Sequence, residues 1–290
     1  MMDIKRTLSE VLTLYELEPD LKDLFVEGST DKSFIEWYLR AGGITSVTVY
    51  SIGVVDIPDD VLLEHGLPTG SNRSRVLALA CELSAQHPMG LRVLCLADRD
   101  FEDYRPSEID KRYVLFTDGN ALDLYAFTPS NMLKFTAVAL GGLRAPAQTL
   151  MALLTDVLQQ VFAVRLANEL LGWGMEWVPF ARYVEIEGAT VSLRRDALIR
   201  AYLQKNGRWP SRQEFADKVD EVFGLLSTEA TRKMRGHDLG ELLLRVIRGM
   251  SCKRRYFDVE TLEGSLMAAV DRRDLEKLPF FQRISEIAGT

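Results

Sequence analysis

The sequence predicts an α/β protein: an N-terminal, mostly parallel sheet flanked by helices, followed by a mainly α-helical half. Three observations carry that expectation. Up to about residue 130, short apolar runs rich in β formers alternate with helical stretches, the rhythm of crossover-connected parallel strands. One of those runs, residues 91–97, is continuous enough to be buried on both faces. Beyond residue 130 the 3.6-residue period takes over. The expected organisation is a domain over 1–130 and a mainly helical domain over 131–290.

The elements follow in order. Residues 23–27 form a first strand, closed by Gly28. Ser29, Thr30 and Asp31 offer N-cap chemistry to a helix with Phe34, Ile35, Tyr38 and Leu39 on one face. A second strand spans 47–52 and ends at Gly53. Gly70, Ser71 and Asn72 open a helix that buries Val76, Leu77, Ala80 and Leu83 and ends at His87 and Pro88. Residues 91–97 and 113–116 are the third and fourth strands. A long helix over 147–171 presents Leu150, Leu153, Leu154, Val157, Leu158 and Val161 at helical spacing. Residues 183–186 and 190–193, joined through Gly188, read as a hairpin. Helices follow around 195–205, 211–224, 237–249 and 259–271.

Composition bounds the function classes. The 290 residues are 47% hydrophobic and 27% charged, with net charge −7, which excludes a disordered or collagen-like chain. No apolar run approaches the roughly 20 residues that span a bilayer, and the N-terminus lacks a signal-peptide core. A cytoplasmic location is expected. Cys81, Cys95 and Cys252 are odd in number and far apart, against a disulfide framework or a zinc ribbon. Cys95 reads as strand packing. There is no G-x-x-x-x-G-K-[ST] motif, so any NTPase function must come from a partner. Residues 1–130 hold 12 Lys and Arg against 22 Asp and Glu, whereas residues 131–290 hold 23 against 20. That asymmetry fits two jobs on one chain or ordinary solvated surface.

Two acidic groups end predicted parallel strands, the edge where open α/β sheets place their sites. Glu27-Gly28-Ser29-Thr30-Asp31 follows the first strand, and Asp98-Arg99-Asp100 follows the third. Clustered carboxylates repel unless a proton or cation offsets them, and oxygen-only ligands favour Mg²⁺ or Mn²⁺ over zinc. Either motif alone is weak. E-G-x-x-D also describes a strand end with a helix cap, and D-x-D after a strand recurs in phosphatases and many loops.

Together, in this order, they resemble the Toprim domain of topoisomerases, primases and OLD-type nucleases, over about residues 23–127. The resemblance implies a Mg²⁺-dependent phosphodiesterase. Glu27 would be the general acid/base and Asp98 and Asp100 the metal-binding D-x-D. Asp31 would be the extra acid of the nuclease form. A narrower likeness adds Gly70-Ser71-Asn72, residues 120–125 and Gly236-His237-Asp238-Leu239. These resemble the Toprim nucleases found beside ABC-type ATPases, the effector class of the PARIS anti-phage system. That likeness implies a toxic effector held inactive by an AriA-like ABC-type ATPase. Once released it would dimerise and cleave host tRNA, with no membrane partner. Asp123 stands where the family often has Glu and would be a further metal ligand. His237 stands where a Lys often assists the transition state.

Other readings stay open. His237 is either a hydrogen-bond or proton donor or a cap and surface group. Arg232, Lys233, Arg235, Arg245, Arg248, Lys253, Arg254 and Arg255, followed by Tyr256 and Phe257, are either a nucleic-acid surface or a decorated helix beside core aromatics. Trp173, Trp177 and Trp209 read as packing or partner surface rather than base readers. The alternatives to the tRNA nuclease are an OLD-like DNA nuclease, a Toprim-fold regulatory module of an ATPase complex, and a phosphatase built on Asp98-Arg99-Asp100.

Overall fold

The computed structural model describes residues 5–87, 90–142, 146–249 and 256–289. They form two compact units, each with its own core. The first holds the described residues up to Glu102, then Pro106–Asp118, then those from Arg272 onward; the second holds Asp103–Arg105 and Gly119–Asp271. The expected boundary near residue 130 thus falls earlier. The C-terminal segment returns to the first unit rather than ending the helical half.

In the first unit, β1 (Arg6–Thr7) leads into α1 (Leu8–Leu17), with Thr7 and Glu10 forming a reciprocal capping box. Then come β2 (Lys22–Val26), α2 (Ser29–Ala41), β3 (Thr48–Ser51), β4 (Val55–Asp56), α3 (Asp59–Glu64), α4 (Asn72–Gln86), β5 (Arg92–Ala97) and β6 (Val114–Phe116). The sheet runs β3-β2-β5-β6 and every pairing in it is parallel. The four expected strands are therefore present within a residue or two of their sequence limits. The pair β1–β4 lies apart from this sheet. Leu24, Phe25, Val26 and residues 93–97 are buried, and Ile35, Tyr38, Leu77 and Leu79 supply the facing core.

The second unit contains α5 (Pro129–Lys134), α6 (Ala147–Leu171), the antiparallel hairpin β7 (Val184–Glu187) and β8 (Thr190–Leu193), then α7 (Arg195–Lys205), α8 (Arg212–Leu225), α9 (Gly236–Gly249) and α10 (Val259–Met267). Gly188 takes the left-handed backbone that the hairpin turn requires, with φ of 63°. Helix α6 is the hub, packing against α8, α9 and β8. Contrary to the sequence expectation, α6 is long and apolar enough by composition to cross a membrane, at mean hydropathy 1.4. More than half of that stretch is buried inside the protein. The chain ends with α11 (Arg272–Leu275) and α12 (Pro279–Gly289), both in the first unit.

Candidate active site

The strand order fixes where a site belongs. After β2 the chain turns outward to β3; after β5 it turns the other way, to β6. The carboxyl ends of β2 and β5 are neighbours with diverging connections, the switch point at which open parallel sheets leave a crevice. Glu27 follows β2 directly and Asp98 follows β5 directly.

The Asp98 N–H donates to Glu27 Oε1 at 3.0 Å and ties the two strand ends together. Asp100 is the only described non-glycine residue with positive φ, at 47°, a conformation Asp tolerates better than most. Thr117, at the end of β6, holds the turn. Its hydroxyl accepts from the Arg99 N–H at 3.1 Å, and its carbonyl accepts from Arg99 Nε at 2.9 Å. Across the crevice, Gly28 caps α2, and the Gly28 N–H donates to Asp31 Oδ2 at 2.9 Å. One oxygen of Asp31 therefore serves helix capping.

Sequence reasoning missed Arg73. It lies in the first turn of α4, just past the Ser71 cap. Its Nε donates to the Asp98 carbonyl at 3.1 Å and stands 3.9 Å from Asp100 Oδ2; its Nη2 donates to Glu102 at 3.2 Å. The guanidinium lies 5.7 Å from the Phe116 ring centre. Glu102 also accepts from Lys111 Nζ at 2.6 Å, the Ser107 N–H at 2.9 Å and the Ser107 hydroxyl at 2.7 Å. The available signal was a cation in a helix's first turn, where the backbone dipole disfavours it unless a carboxylate compensates.

These neighbours set the state of Glu27. Burial pushes its pKa up first, and the Asp98 N–H opposes that. The carboxylates of Asp100 and Asp31 raise it further, while Arg73 lowers it, and the result is about 7. A carboxyl poised there exchanges its proton readily near neutral pH.

The structure thus brings Glu27, Asp31, Asp98 and Asp100 to one crevice. Asp123 and His237 belong to the second unit. There the two late motifs meet: the Asn120 N–H donates to the Thr231 carbonyl at 2.9 Å, and Asn120 Nδ2 donates to the Met234 carbonyl at 3.1 Å. Gly236 lets the two motifs approach closely: a Cβ there would stand 2.7 Å from Asp123 Oδ2 and 3.0 Å from its Cβ, so Asp123 would have to shift. The His237 side chain is 92% exposed, with Nδ1 3.9 Å from Glu263 Oε1. Glu263 raises its pKa first, with Asp123 adding to the shift. Asp238, in the same motif, is buried in a paired contact with Arg165 at 2.7 and 2.9 Å and serves the fold.

The remaining sequence candidates divide. Arg232 is engaged by Asp103 at 2.9 Å and Glu229 at 3.2 Å. Lys253, Arg254, Arg255 and Cys252 lie outside the described residues. Tyr256 faces Phe135 with ring centres 6.4 Å apart, while Phe257 is exposed. Cys81 and Cys95 are buried, and burial pushes both thiols up, Cys81 to about 11.

Among the described residues, no three His, Cys, Asp or Glu side chains form a ready-made metal cage. The crevice fits a different mode of binding. Mg²⁺ is commonly held by one or two carboxylates, several waters and substrate phosphates. Asp98 and Asp100, beside a Glu27 whose pKa burial raises first and the Asp100 and Asp31 charges raise further, suit that mode. No family model matches the chain, and no curated protein matches it.

Proposed function

We propose that this protein is a Mg²⁺- or Mn²⁺-dependent phosphodiesterase of Toprim type, acting as a nuclease. One observation carries the reading: Glu27, with its pKa near 7, accepts a hydrogen bond from the backbone of Asp98 at the sheet's switch point. Glu27 is the proton-transfer group, working on the attacking or the leaving oxygen. Asp98 and Asp100 are the carboxylates that would hold the metal, with Asp31 beside them. A bound divalent ion supplies charge neutralisation at the phosphate and acidifies a coordinated hydroxyl or water. Arg73 fixes the Asp98 carbonyl and lowers the repulsion among the acids. The roles of further ligand and hydrogen-bond donor that the resemblance gives Asp123 and His237 are not proposed for this crevice, because both residues belong to the second unit.

By its resemblance, the protein is an AriB-like defence effector. It would be restrained by an AriA-like ABC-type ATPase, be dimeric when released, and cleave host tRNA in the cytoplasm. The deciding experiment uses the purified chain with total tRNA or plasmid DNA, in Mg²⁺ or chelator, beside Glu27→Ala and Asp98→Ala. The expected result is metal-dependent tRNA cleavage lost by at least about a hundredfold in both variants. DNA cleavage alone would replace the tRNA reading with an OLD-like one. Cleavage of neither substrate, even with an added ATPase partner, would overturn the nuclease reading in favour of a regulatory module.

A further inference from the structure

Residues 194–212 carry six Lys and Arg against a single Asp, in a chain whose net charge is −7. The six cations separate into two sets. Arg194 pairs with Glu185 at 3.0 Å, Lys205 with Glu176 at 2.8 Å, and Arg195 with Asp220. Arg200, Arg208 and Arg212 have no carboxylate partner among the described residues, and all three are exposed. They lie over indoles instead. Arg200 and Arg212 stand 5.8 and 5.4 Å from the Trp209 ring centre, and Arg208 stands 5.1 Å from that of Trp173.

The platform is built, not incidental. Trp173 stacks on the buried Phe215, ring centres 5.6 Å apart and planes inclined 24°. Trp209 opens a short 3₁₀ turn and is followed by Pro210, which limits the backbone there. Gly207, with φ of 66°, reverses the chain after α7. Asn206 then locks the turn, donating to the Glu176 carbonyl and accepting from its N–H at 2.9 and 2.8 Å. Trp209 remains 37% exposed beneath its two arginines.

We propose that this α7–α8 turn binds the phosphodiester backbone of nucleic acid through Arg200, Arg208 and Arg212. An indole beneath a guanidinium holds its plane and leaves its edge N–H donors free. Those edges match two phosphate oxygens at once. A carboxylate partner would consume the same edges, and among the described residues these three arginines have none. Spacing the cations around aromatic rings favours a flexible single strand, whose bases can also stack on an arginine face or an indole edge. The choice of nucleic acid as partner rests on the nuclease reading; the arginine–tryptophan platform does not.

The test is equilibrium binding of the full chain to a short labelled single-stranded RNA, by fluorescence anisotropy in chelator across a salt series. The expected outcome is that the triple substitution R200Q/R208Q/R212Q weakens binding by about tenfold or more. It should also flatten the logarithmic salt dependence by about 2, from roughly 0.7 per phosphate contact. Trp209→Ala should weaken binding while leaving the salt dependence near that of the wild type, because the charge is kept and the platform lost. Circular dichroism melts confirm that each variant folds. Unchanged affinity and salt slope in the folded triple variant would overturn the proposal. So would tighter binding of a poly-glutamate peptide than of RNA with the same charge, which would make this a protein-docking surface. Cleavage lost in Glu27→Ala with RNA binding intact keeps both readings. RNA binding that depends on these arginines in a chain that cleaves nothing keeps this one alone.

Discussion

At the residue scale, one buried carboxylate organises the cations of the crevice. Glu102 is 7% exposed and is engaged by Arg73, Lys111 and Ser107. Burial alone would raise its pKa, but those donors outweigh burial and hold it below 4.5. A depressed folded pKa means that the ionised form stabilises the fold. That contribution is complete above about pH 4.5 and is lost as the pH falls through the folded value. Glu102→Gln keeps the shape, removes the charge that pairs with Lys111, and leaves Arg73 only its longer contact with Asp100. The expected cost at neutral pH is about 2–3 kcal/mol, a loss of charge-assisted hydrogen bonds that Lys111's partial exposure moderates. Urea denaturation should show that gap at pH 7 and its closure in acid. A gap of equal size at both would mean that Glu102 acts by packing rather than charge. On the proposed nuclease reading, the variant should also cleave more slowly, because Glu102 would hold Arg73 less firmly against the Asp98 carbonyl.

At the element scale, legibility followed locality. Strands β2, β3, β5 and β6 were readable because each is a short apolar run whose burial is written in its own residues. The hairpin and α6 to α10 were readable for the same reason. β1 was not, because two polar, exposed residues carry no period. Glu27, Asp98 and Asp100 were legible as strand-end acids; Arg73 was not, because an arginine on a helix looks alike whether it faces solvent or a carboxylate. The return of α11 and α12 to the first unit was equally invisible, since nothing local says which core an amphipathic helix will join. That return is extensive. Phe281 packs on Tyr38 with ring centres 4.7 Å apart, and Arg272 Nε donates to the Tyr38 carbonyl at 3.0 Å. Lys22 Nζ donates to the Ala288 carbonyl at 2.9 Å. These contacts brace α2 and β2, the two elements that present Asp31 and Glu27. Deleting residues 272–290 uncovers Phe34 and Tyr38 and removes the buried Phe280, Phe281 and Ile284. At about 3–5 kcal/mol for each large aromatic lost, the first unit should not fold stably. Limited proteolysis should then cut within residues 5–118 while sparing 146–249. Uniform resistance of the truncated chain would show that the sheet stands without its C-terminal helices.

At the scale of the whole molecule, the charge distribution acquires a physical meaning. The front of the chain is strongly acidic, and four of its carboxylates meet at one sheet edge, where Arg73 offsets Glu27 and Asp100. Such crowding disfavours the metal-free fold, and it adds to the burial that chiefly raises the Glu27 pKa. A ligand that binds only the folded state returns stability by mass action, about 2.7 kcal/mol at a hundred times its dissociation constant. Mg²⁺ should therefore raise the unfolding midpoint of the wild type. Hydrogen exchange should slow at the Gly28 and Asp98 amides, which already donate to Asp31 and Glu27. The double substitution D98N/D100N makes the opposite pair of changes. It relieves repulsion, so the metal-free protein gains stability, and it removes the oxygen charge that attracts the cation, so the Mg²⁺ response disappears. On the proposed nuclease reading, this loss of stability is the cost of holding the acids ready for a cation. If D98N/D100N is less stable than the wild type without metal and still responds to Mg²⁺, the carboxylates serve the fold, and the metal-dependent reading falls with them.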